Sequence, residues 1–157
     1  MNSNTVILAK LKTLPFGLGL WIFSRVLCIK APYFSSIHPT FTELSPGRGE
    51  AAFKNRRKVR NHLGGVHAIA MANLCEFVAG VTLEVTLPSS HRWIPKSMKI
   101  NYLAQATTDV RARASIDLGD LPDKGIQNVC VEVTDAAGKL VVTAEIEMYI
   151  SRRKGTS

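Results

Sequence analysis

The chain has 157 residues, of which 46% are hydrophobic and 20% charged, and a formal net charge of +8. That length carries one domain with room for a real core, and the composition is that of an ordinary globular protein. The positive balance admits nucleic acid, an anionic membrane or a small anion as partner. No nucleic-acid module and no aromatic platform accompany the basic residues, so nucleic acid is not expected. Three scattered cysteines, Cys28, Cys75 and Cys130, form no Cys-x-x-Cys pair and argue for a reduced, cytoplasmic setting.

Between Lys12 and Arg25 lies an uncharged stretch. It is shorter than the roughly 18 residues that a membrane span needs, and no small-x-small cleavage site marks it as an export signal. One or two amphipathic helices are predicted instead, Val6–Leu14 and Phe16–Ile29, ending before Ala31-Pro32. Contact of these helices with a membrane surface is the lesser reading.

Thr40–Ser45 and Glu50–Asn55 read as strands around the turn Ser45-Pro46-Gly47-Arg48-Gly49. A loop, Arg56–Val66, leads into a helix from His67 to about Glu84. Leu87–His91 is a loop and Ile94–Leu103 a strand. Val110, Ala112, Ala114 and Ile116 then alternate with polar residues, as in a half-exposed strand. Leu121–Gly125 turns the chain, and Val129, Val131 and Val133 share one face of the next strand. Asp135-Ala136-Ala137-Gly138 is a hairpin turn, followed by the alternating Val142–Ile150. The order of helix, two strands, long helix and four strands is an α+β pattern: about six strands around one apolar helix.

Glu76 is the only charged residue from Ala68 to Leu83, a run that is otherwise almost wholly small or apolar. A lone carboxylate in a self-burying helix is costly unless it is paired or used, and perturbed carboxylates gather at functional sites. The plain alternative is a structural glutamate. Just upstream, Asn61-His62-Leu63-Gly64-Gly65-Val66-His67-Ala68 forms a glycine turn at the helix start, where backbone N–H groups attract negative charge. From His67 to Glu76 a helix turns by about 900° and rises about 13 Å. The two side chains therefore point to opposite sides, which suggests sites shared between the paired helices of a dimer. His62, His67 and Glu76 diverge, and His-x4-His is not a zinc spacing, so no metal is expected. Cys75 reads as a small buried hydrophobe rather than a nucleophile.

The run from Asn61 through Gly64, His67, Ala68 and Leu74 to Glu76, with the later strand Ser97–Leu103, resembles the hot-dog-fold acyl-CoA thioesterases, in particular the PaaI-like group and its DUF4442-type relatives. The resemblance covers roughly Phe41 to Ile150. Ala68-Ile69 stands where the family has a second glycine pair. It implies a hot-dog fold, an antiparallel sheet wrapped around the long helix, with residues 1–38 as an added helical segment, 39–151 as the domain and 152–157 as a basic tail.

It also implies a thioester hydrolase in which Glu76 is general base or nucleophile and the Ala68 N–H polarises the thioester carbonyl. Gly65 would permit close backbone approach. Asn61 would hold the attacking water or the thioester, its alternative being an ordinary turn residue, and His67 would orient the loop or the substrate, its alternative being a helix N-terminal histidine bonding its neighbours. Gly80 leaves space for an acyl chain or simply permits close packing. The basic run Arg56, Arg57, Lys58 and Arg60 would hold the phosphates of coenzyme A, which enters as part of the substrate rather than as a cofactor. A homodimer is expected, or a tetramer as a dimer of dimers. The alternatives are a hot-dog dehydratase or hydratase acting on hydroxyacyl thioesters, and a non-catalytic acyl-CoA or lipid-binding protein.

Overall fold

The computed structural model describes residues 14, 17–119 and 121–153. The expected helix Val6–Leu14 lies outside these residues except for Leu14, as does the end of the basic tail. Helix α1 spans Leu18–Lys30 and helix α2 Ala68–Thr86. Six strands, β1 (Thr40–Ser45), β2 (Arg48–Phe53), β3 (His91–Tyr102), β4 (Val110–Ser115), β5 (Gly125–Asp135) and β6 (Leu140–Arg152), form one sheet in the order β1-β2-β4-β5-β6-β3. Every pairing is antiparallel.

Alternation decides which face receives α2. Val110, Ala112 and Ala114 of β4, and Val129, Val131 and Val133 of β5, are buried while the residues between them are exposed. A strand's period of two puts these apolar residues on one face. Leu74, Phe77, Val78, Ala79 and Leu83 of α2 are fully buried against that face. The helix comes closest at Gly49 of β2, where a Cβ would stand 2.0 Å from Thr82 Oγ1. Thr82 turns its hydroxyl back to Val78 O at 2.6 Å, and Thr86 does the same to Thr82 O. Thr86 Oγ1 also accepts the Gly47 N–H at 2.9 Å, tying the helix end to the β1–β2 turn.

Helix α1 closes the start of β1. Buried Ser24 donates to Leu20 O at 2.7 Å and accepts the Phe41 N–H at 2.9 Å. Phe23, Phe41, Phe77 and Phe34 run in series across α1, β1, α2 and the short turn Pro32–Ser36, with ring centroids 4.8–6.5 Å apart. Such contacts add about 0.5–1.5 kcal/mol each beyond burial.

Some boundaries differ from the sequence reading. β2 runs from Arg48 to Phe53 rather than Glu50 to Asn55, because Arg48 already pairs with Ser45 and Ser115. β3 starts at His91 rather than Ile94, since β6 is long enough to pair with it through Arg152. Pro95, which cannot donate to a ladder, sits at a register shift in this edge strand. α2 begins at Ala68, with His67 as its cap, and continues past Glu84 to Thr86.

On the face away from α2, Glu50 is only 6% exposed. It accepts from Thr42 Oγ1 at 2.6 Å, from Arg111 at 2.8 Å and from Arg113 at 2.6 Å. Burial pushes its carboxyl up, but the Thr42 hydrogen bond and the two guanidinium groups outweigh this and hold it below the usual range.

Candidate functional site

The glycine turn is built by Asn61. Its N–H donates to Gly65 O at 2.8 Å, and its side-chain oxygen accepts the N–H groups of Leu63 and Gly65 at 3.0 and 3.1 Å. Gly64 has φ 82°, which favours glycine. Asn61 thus uses its side-chain oxygen to close the turn. Gly65 is required by crowding, since a Cβ there would meet Gln105 at 2.8 Å and Ala106 O at 3.1 Å. The turn is docked to the domain by Val66 N–H to Ala106 O and His67 N–H to Val59 O, both 2.8 Å.

His67 is the N-cap of α2, and its Nδ1 accepts the Ile69 N–H at 3.1 Å. That bond places the ring proton, in the neutral form, on Nε2. The Ala68 N–H, first in the helix, has no partner among the described residues. Its carbonyl accepts from the Tyr102 hydroxyl at 3.2 Å, which fixes this peptide to β3. A cavity of about 250 Å³ opens beside it, lined among others by Lys58, Arg60, His67, Ile69 and Asn73. Asn73 is buried and donates to Ser36 Oγ at 3.2 Å, while its carbonyl oxygen has no partner.

Glu76 lies elsewhere. It is half-buried rather than buried, because α2 turns Ile69, Ala72 and Glu76 to the side the sheet leaves uncovered. Its carboxylate makes no hydrogen bond or ion pair among the described residues. It lines a groove of about 310 Å³ whose walls include Leu27 of α1, Ala31 just after that helix, Phe34, Phe77, Gly80 and Trp93. The space above Gly80 is filled by Trp93, whose ring would lie 2.5 Å from a Cβ there. The Trp93 indole donates to Glu84 at 2.8 Å, and Glu84 faces Arg153 at 3.6 Å. His67 and Glu76 thus line different cavities of one chain.

The basic run is divided rather than joined. Lys58 and Arg60 border the cavity beside His67, whereas Lys54 and Arg56 border another cavity on the outer face of the sheet. Arg57 is exposed and borders neither. Cys75 is fully buried, and burial pushes its thiol up to about 12, which removes it as a nucleophile at neutral pH. Among the described residues no group of three or more His, Cys, Asp or Glu side chains is placed to hold a metal ion. Asn73, Trp93, Glu84 and the α1 wall escaped the sequence reading. Only Trp93 left a sequence signal, as a large aromatic just before the predicted strand Ile94–Leu103.

A long apolar helix held by a six-stranded antiparallel sheet in this order defines the hot-dog fold. A crystal structure from a genomics effort is 39% identical, with 97% of this chain and all of that one covered and a TM-score of 0.82. A thioesterase from Haemophilus influenzae shares the fold at 15% identity and a TM-score of 0.72, over 79% of this chain and 85% of that one. A thioesterase from Staphylococcus aureus does so at 15% and 0.69, over 76% and 98%. No curated protein matches the chain. The family described as a domain of unknown function, DUF4442, matches residues 19–150, and the chain belongs to that family.

Proposed function

We propose that this protein is an acyl-CoA thioesterase with its site shared between two subunits. The observation that carries this reading is the unpaired Glu76 carboxylate on the wall of an apolar groove. The groove takes the acyl chain. The Ala68 N–H of one subunit binds the thioester oxygen, and Glu76 of the partner subunit faces the carbonyl carbon. Glu76 removes a proton from water as the water oxygen attacks that carbon. The C–S bond then breaks, and the thiolate takes the proton, leaving free acid and coenzyme A. A positioned general base contributes about 10²–10⁴-fold, and one oxyanion donor roughly 3 kcal/mol. Lys58 and Arg60 meet the phosphates, and the Asn73 oxygen accepts an amide N–H of the pantetheine arm.

The dimer rests on two features. β3 is an edge strand of twelve residues with one side unpaired, and an open edge of that length invites another strand. Beside it α2 presents Ile69, 56% exposed, in line with Glu76. Two-fold pairing is also the commonest symmetry. In the S. aureus thioesterase, a glutamine-to-alanine and a glutamate-to-alanine variant lie fifteen positions apart, the same separation as Asn61 and Glu76 here.

The test is thiol release from a panel of acyl-CoAs by the unmodified protein and by Glu76→Gln. The expected loss in kcat is at least about 100-fold, the general-base range. Equal turnover by a folded Glu76→Gln protein, or no turnover of any acyl-CoA by the unmodified one, overturns the proposal.

A further inference from the structure

The largest cavity among those described, about 840 Å³, is not the thioester groove. It lies on the outer face of the sheet beside α1, and Trp21, Arg25, His38, Lys54, Arg56 and Arg111 line it. Two carboxylates, Asp109 and Asp135, also reach it, but each has an oxygen bound to backbone. Asp109 accepts the Asn55 N–H at 2.8 Å, and Asp135 accepts those of Ala137 and Lys139 at 2.9 Å.

The cations are poorly neutralised. Arg111 has Glu50 as its partner, but Glu50 also serves Arg113. Among the described residues, Arg25 and Arg56 bind neutral groups alone, respectively His38, Pro39 and Thr40, and Ser36 O. The Nε of Arg25 is buried with no hydrogen-bond partner. Lys54 makes no ion pair among the described residues. Like charges gathered around one partly desolvated space repel, and a bound anion relieves that repulsion.

Where Trp21 borders the cavity, α1 presents exposed apolar side chains. Leu18 and Trp21 are 47% and 51% exposed and precede Arg25 on one face of α1 at i, i+3 and i+7. Exposed Leu and Trp beside basic side chains suit the boundary of an anionic membrane, where Trp settles at headgroup level and Lys and Arg meet anionic headgroups.

We infer that the outer-face cavity receives the phosphate of an anionic phospholipid, with Leu18 and Trp21 of α1 seated in the bilayer interface. The chain would thereby be a peripheral membrane protein whose lipid contact is separate from the thioester groove.

The test uses the full chain with vesicles of phosphatidylcholine alone or mixed with phosphatidylglycerol, read by co-sedimentation and Trp fluorescence. Trp21→Phe assigns the Trp21 signal apart from that of Trp93. Binding to the anionic vesicles with a blue shift from Trp21, and little binding to the neutral ones, is expected. The pair Lys54→Gln with Arg56→Gln should weaken binding by about thirtyfold, the usual effect of two basic residues at an anionic surface. The control pair Lys58→Gln with Arg60→Gln, which borders the other cavity, should change it much less. Equal losses from both pairs would reduce the effect to net charge and overturn the site. Absent binding, or equal binding to neutral vesicles, also overturns it. A Trp21 response to ADP or pyrophosphate without vesicle binding would assign the cavity to a soluble phosphate and overturn the lipid reading.

Discussion

The ring of Trp93 occupies the space that a side chain on Gly80 would need, so one residue of β3 and one of α2 form a single wall of the groove. Glycine in mid-helix costs about 1 kcal/mol relative to alanine, and here the contact with Trp93 accounts for it. Gly80→Ala should push the indole from its bond to Glu84 and destabilise the fold by about 1–3 kcal/mol, as overpacking does. Trp fluorescence and KM for long-chain thioesters should change together, with short-chain KM less affected. An unaltered emission spectrum would show that the wall is softer than described.

Glu50 links stability to acid. Its carboxyl is held low in the folded chain by Thr42, Arg113 and Arg111 against the effect of burial. The stability this confers is present above the ordinary carboxylate value and is lost as pH falls through the lowered folded one. Glu50→Gln should cost about 1–3 kcal/mol at pH 7, discounted because both arginines are half-exposed. Urea midpoints measured from pH 7 to 3 should fall less steeply in Glu50→Gln than in the unmodified protein. Parallel slopes would remove Glu50 as the source.

Ala68 permits a clean removal of its N–H. Proline is tolerated at the first helical position, and the preceding His67, at φ −64° and ψ 136°, already has the backbone that proline requires. Ala68→Pro should fold and lose about 10²–10³-fold in kcat. Mixed with Glu76→Gln and allowed to exchange subunits, it should regain part of the activity, because a heterodimer holds one intact site. A heterodimer that forms and stays inactive would place both groups in one chain's site.

Lys58 and Arg60 should act on binding more than on turnover. Replacing both with glutamine should raise KM for CoA thioesters and flatten its salt dependence, since charge on a phosphate is screened by ions. KM for short pantetheine thioesters should be unmoved. Equal rises for both substrates would point to damage in the turn.

The cysteines should differ in reactivity. Cys130 is exposed, while Cys28 and Cys75 are buried. At pH 8 an alkylating agent should modify Cys130 alone, and Cys75→Ala should retain thiol release. Mass spectrometry finding Cys75 labelled in the native protein would contradict its burial.

Much of the fold was legible because the strands alternate cleanly. Val110 to Ala114 and Val142 to Ile150 declare a buried face by period alone, and the apolar run after His67 declares the helix. That His67 and Glu76 lie apart was also legible from the helical rise between them, although His67 turns out to be the extended cap rather than a helical residue. The bonds by which Asn61 closes the turn were not legible, because an asparagine that closes a turn and one that holds a ligand look alike in sequence. The division of the basic run was hidden for a different reason. Extended backbone at Arg56 and Arg60 sends neighbouring side chains to different cavities, and spacing along the chain does not report that. Asn73 and Trp93 gain their meaning from partners 37 and 9 residues away, distances over which a sequence pattern carries no signal.

The sheet order has a consequence in time. β1–β2, β4–β5 and β5–β6 are neighbours in both chain and sheet, so each can form locally. β3 is held in the sheet only by β6, whose residues follow it by some fifty positions. Contacts of such separation form late, because the intervening loop must first be closed. Trp93 and the open edge both belong to β3. The groove wall that Trp93 supplies and the open edge therefore form together, when β3 joins β6, later than the local hairpins.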